Sequence, residues 1–77
     1  MALVTSLKPD HRNFRSLHPT EVEALYLVSE RDGKKVLQIN TYGSAGREIP
    51  GKLSQTLQFN ETSARELFAV LKKEFGI

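Results

Sequence analysis

Seventy-seven residues with 39% hydrophobic content make one small domain and leave no room for a second. The chain has no cysteine, which excludes disulfides and thiolate metal sites, and it carries a mild net charge of +2. No apolar run approaches the roughly 20 residues that a membrane helix needs, and the opening residues lack a basic stretch followed by a long apolar core. These features predict a cytoplasmic protein with no membrane partner.

A core this small is marginal without a supplement. With disulfides gone, metal and self-association remain. His11 and His18, the two histidines, are seven apart with no carboxylate pair nearby, which is a poor zinc site. The expectation is a homodimer without cofactor. The sequon at Asn60–Thr62 is read as chance in a chain without a secretory signal.

Charge is unevenly spread. Residues 21–30 hold Glu21, Glu23 and Glu30, whereas residues 31–52 hold Arg31, Lys34, Lys35, Arg47 and Lys52 against Asp32 and Glu48. That basic stretch fits polyanion contact, although on charge alone a solvated loop surface is the plainer reading.

In chain order, residues 1–20 form an N-terminal arm, with a short strand in "ALVTSL". The remainder, "KPDHRNFRSLHPT", is polar, holds two prolines and has no period. Its Lys8, Arg12 and Arg15 interleave with Phe14, which fits a nucleic-acid-binding arm, a disordered tail or a segment crossing a partner subunit. Residues 21–77 are read as the single domain. "EVEALYLVSE" (21–30) is a strand apolar on both faces, a pattern that predicts a central or covered position. "RDGKK" is a turn built on Asp-Gly.

"VLQINTY" (36–42) alternates, with Leu37 and Ile39 on one face and Gln38, Asn40 and Tyr42 on the other. "KLSQTLQF" (52–59) does the same, with Leu57 and Phe59 opposed to Lys52, Ser54, Thr56 and Gln58. Between them lies "GSAGREIPGK", with three glycines, a proline, Arg47 and Lys52. The chain closes with a helix capped by Asn60, with Glu61 in its first turn, Lys72 and Lys73 in its last, and Gly76 as its stop. Ala64, Leu67, Phe68, Leu71 and Phe75 form its apolar stripe. Val70 falls off that stripe and is the candidate for a contact with the same helix of another subunit. The predicted fold is α+β: a small curved antiparallel sheet of three or four strands followed by one amphipathic helix. The helix covers the Leu37, Ile39, Leu57 and Phe59 face, and the polar face is left uncovered.

Enzymatic chemistry finds little support. There is no cysteine nucleophile, neither histidine lies in an ordered element, and the acidic residues look like solvated edge charges. The glycine loop lacks phosphate-loop spacing and is followed by a strand where a helix is needed. A single-stranded polyanion, by contrast, is held by cations for its phosphates and by aromatic and polar groups for its bases. Tyr42 beside Gln38 and Asn40 supplies the second set, although a half-buried strand aromatic is its plainer reading.

The run "YLVSERDGKKVLQINTYGSAGREIPGKLSQTLQFNETSARELFAVLKKEF" resembles the single-stranded-DNA-binding domain of the positive-cofactor-four transcriptional coactivators and their bacterial relatives. The likeness covers about residues 25 to 75. It lies in the order of elements: a charged turn ending in Gly-Lys, a strand ending in Tyr, a Pro-Gly-Lys loop, a Ser-containing strand, an Asn cap and the helix. The chain departs from the family in having Gly43 where an aromatic is usual, and Ala64 and Arg65 where a Trp is frequent. Its loop before Pro-Gly is also shorter.

The resemblance implies a homodimer, paired largely through the helices, binding single-stranded DNA, with RNA as an alternative, over the outer sheet face. Carried over by position it implicates Lys34, Lys35, Gln38, Asn40, Tyr42, Arg47, Lys52, Ser54 and Thr56. It implies no small-molecule substrate. Two rival readings remain: a protein-interaction adaptor that docks a partner by strand addition, and a stand-alone dimer with no polymer ligand.

Overall fold

The structure is a computed structural model and describes residues 1–43 and 53–77. Its elements are β1 (Ala2–Val4), β2 (Ala24–Arg31), β3 (Lys34–Tyr42), β4 (Leu53–Phe59) and α1 (Glu61–Phe75). They form the expected small α+β arrangement, a four-stranded sheet in the order β1-β4-β3-β2 followed by one helix.

The β2–β3 hairpin follows from Asp32-Gly33. Both residues take positive φ, 52° and 76°, the conformation of a two-residue turn whose twist matches its strands. Arg31 therefore faces Lys34, and the ladder runs from there to Ala24 opposite Thr41. β4 returns antiparallel to β3, with Leu37 opposite Phe59 and Asn40 opposite Thr56. The register slips by one residue at Thr41/Tyr42, so Tyr42 faces Leu53 and not Ser54. β1 is the strand expected within the arm. It runs parallel to β4, Ala2 beside Leu57 and Val4 beside Phe59, which makes the sheet mixed.

α1 starts and stops where its residues dictate. Asn60 Oδ1 accepts from Ser63 N at 2.9 Å. Gly76, left-handed at φ 68°, donates its N–H to the Lys72 carbonyl at 3.1 Å. The helix packs on the Leu37 and Phe59 side of the sheet. Phe59, 7% exposed, is the one buried hydrophobic residue among those described. Ser63 is fully buried and donates from Oγ to the Val4 carbonyl at 2.6 Å, joining helix to β1. Further along, Leu7 N donates to Glu66 Oε1 at 3.0 Å, so the arm touches the helix again.

Two expectations are corrected. β2 is neither central nor covered: it is an edge strand, and all eight of its residues are exposed. The hairpin places β2 outside β3, and β1 joins at the opposite edge, so no strand among the described residues lies beyond β2. The helix stripe is also only half used. Ala64, Leu67 and Leu71 are half-buried, while Phe68 and Phe75 stay exposed, because one side of the stripe overhangs the β3–β4 surface beneath it.

Candidate nucleic-acid interface

The sheet face turned away from the helix is built by alternation in β3 and β4. Gln38 faces Gln58 across the ladder and Asn40 faces Thr56, which sets all four side chains on one surface. They bond to one another. Thr56 Oγ1 donates to Asn40 Oδ1 at 2.9 Å and Gln38 Nε2 donates to the same oxygen at 3.0 Å. Gln58 Nε2 donates to Gln38 Oε1 at 2.9 Å. Asn40 and Thr56 are 8% and 6% exposed, so the centre of this face is buried, not open as alternation alone suggested. The result is a rigid polar ridge with part of its hydrogen-bonding capacity already used.

Exposed leucines flank the ridge. Leu27 lies opposite Gln38 and Leu25 opposite Asn40, on β2, while Leu3 lies beside Gln58 on β1. Sequence reasoning passed over these three leucines and left Gln58 out of the candidate site. Gln58 was accessible from its alternation with Thr56; the leucines needed the strand order.

The cations divide. Lys34 shares the ridge face by alternation, whereas Lys35 falls on the helix face. There, a groove of about 570 Å³ runs between sheet and helix, with Val28, Leu37, Phe59 and Ala64 along it and both Lys34 and Lys35 at its border. The ion pairs among the described residues are Arg12–Asp10 and Arg65–Glu61, both at the surface, and neither involves Lys34 or Lys35. Arg12 is thus engaged within the arm, and its hydrogen bonds hold the Asp10 carboxyl below its usual pKa. Tyr42 is half-buried at the end of β3, and Ser54 is exposed in β4 beyond the register slip. Arg47 and Lys52 lie outside the described residues.

Among the described residues no three His, Cys, Asp or Glu side chains are grouped to hold a metal ion, and no helix is long and apolar enough to cross a membrane. His18 Nδ1 accepts from Thr20 N at 3.1 Å, a local turn contact. Comparison with family models, with curated proteins and with solved structures finds no match to this chain.

Proposed function

We propose that this chain is a non-enzymatic single-stranded nucleic-acid-binding protein, acting on DNA in preference to RNA, with low sequence specificity and as a homodimer. The observation that carries the reading is the ridge of Gln58, Gln38, Asn40 and Thr56 set between exposed leucines. Such a face offers the half-exposed amides of Gln38 and Gln58 to base edges and apolar surface to base planes, over a buried Asn40–Thr56 pair that holds Gln38 in place. Lys34 and Tyr42 stand at opposite ends of β3. In this reading Lys34, Arg47 and Lys52 neutralise phosphates, Gln38 and Ser54 hydrogen-bond, Asn40 and Thr56 position Gln38 from beneath, Lys35 stands on the other face, and Tyr42 stacks. A role as an accessory factor in transcription or DNA maintenance follows by the resemblance alone.

The test is fluorescence anisotropy of a labelled single-stranded 20-mer at two salt concentrations, with the duplex beside it. Binding that prefers the single strand and weakens as salt rises is the expected result. No binding at low salt sinks the reading.

The open β2 edge favours a second reading, a protein-interaction module that accepts a partner strand. Its binding would be far less sensitive to salt.

A further inference from the structure

β2 is an exposed edge strand with apolar residues on both faces: Leu25 and Leu27 on one, Tyr26 and Val28 on the other. Tyr26 is 75% exposed. An uncapped edge of this kind is a template for pairing with another strand. We propose that its occupant is β2 of a second copy of this chain, paired antiparallel about a two-fold axis at Leu27.

Symmetry restricts the register. A two-fold that pairs a strand antiparallel with itself stands perpendicular to the sheet and keeps each side chain on its own face. Facing residues must share a face, so some residue must face itself. Backbone geometry is compatible with this. The two-residue turn makes Arg31 and Lys34 a hydrogen-bonded pair, so Leu25, Leu27 and Ser29 also direct their backbone groups at β3. Ala24, Tyr26, Val28 and Glu30 direct theirs outward, to the open edge.

Centring on Leu27 uses all four outward residues. Tyr26 pairs with Val28 of the second copy and Ala24 with its Glu30, each as a hydrogen-bonded pair. Charge agrees: Glu23, just before the strand, falls opposite Arg31 of the second copy, twice by symmetry. Centring on Val28 would leave Arg31 against Leu25. Centring on Tyr26 would leave Glu30 against Val22. The groove gives a second, independent reason. Val28 lines it together with Leu37 and Phe59, so Tyr26 of the second copy comes to lie beside its mouth.

The pairing forms one eight-stranded sheet ending in β1 at both sides, with no β2 edge left open. Both polar ridges face the same way, and the two Gln38 residues stand about 14 Å apart, three strand spacings. This inference rests on the homodimer part of the proposed function and not on nucleic-acid binding.

Because the chain has no cysteine, Leu27→Cys introduces a single thiol. At a non-hydrogen-bonded pair the Cα atoms approach to about 4.5 Å, within disulfide reach. Light scattering of the parent chain should give the mass of two copies. Mild oxidation should then link Leu27→Cys into dimers on a non-reducing gel, while Val70→Cys, on the exposed helix surface, stays unlinked. A one-copy mass overturns both the homodimer and this edge. A two-copy mass with Val70→Cys or Tyr26→Cys linking in place of Leu27→Cys overturns the edge or its register and leaves the homodimer standing. In a separate charge exchange, Glu23→Arg and Arg31→Glu should each weaken the dimer several-fold, and the two together should restore it. Absence of that rescue overturns the register.

Discussion

Ser63 and Val4 are joined by a 2.6 Å hydrogen bond from hydroxyl to carbonyl, although they are 59 residues apart in the chain. The same hydroxyl lies 3.1 Å from Asn60 Oδ1, so one buried side chain links the helix cap to the edge strand β1. Ser63→Ala should destabilise the protein by about 1 kcal/mol, since it removes the hydrogen bond that the buried hydroxyl gives to the part-buried Val4 carbonyl. Urea denaturation measures the loss, and amide exchange should show β1 opening ahead of the hairpin. Unchanged stability would mean that β1 is held by its strand pairing alone.

Thr56 and Asn40 make a similar test of the ridge. Thr56→Val keeps the shape and removes the donor to Asn40 Oδ1, which retains Gln38 as a partner. The expected cost is about 1 kcal/mol. Combining it with Gln38→Ala should cost more than the two single changes added, because both donors share one oxygen. Simple additivity in a double-mutant cycle would show that the ridge does not act as a unit.

Gly33 carries the turn. A Cβ there meets no atom within 4 Å, so any penalty for Gly33→Ala is conformational, from φ of 76°. We expect a loss of about 1 kcal/mol, with the folding rate falling if the hairpin forms early. Chevron kinetics separates the two effects.

The cations predict a salt signature. If Lys34 contacts a phosphate, Lys34→Ala should shallow the dependence of log affinity on log salt by about 0.7. Lys73→Ala, in the last turn of the helix, should leave the slope unchanged. The pair Arg47→Glu and Lys52→Glu should abolish binding while circular dichroism and mass remain those of the parent. Equal slopes for Lys34→Ala and the parent would remove Lys34 from the interface.

Much of the local structure was legible because it is decided by near neighbours. Asp32-Gly33 specifies its turn through positive φ, and Asn60 and Gly76 bound the helix through capping. Alternation in residues 36–42 and 53–59 separated Gln38, Asn40 and Thr56 from Leu37, Ile39 and Phe59. What alternation could not give was the partner across the ladder. That Gln58 bonds to Gln38, and that Asn40 collects two donors, depends on register.

β2 shows the limit most clearly. Its apolar residues on both faces read as a covered strand, yet the hairpin and the parallel docking of β1 at the far side make it an edge. Likewise, Lys34 and Lys35 read as one basic pair; alternation directs them to opposite faces, although both border the groove between sheet and helix. Periodicity, turn chemistry and capping are properties of contiguous residues, so the sequence by itself determined the hairpin, the two faces of β3 and β4, and the ends of α1. Strand order, the Tyr42 register slip, the Ser63–Val4 link and the exposure of β2 are set by contacts between residues far apart in the chain, and only the tertiary structure decided them.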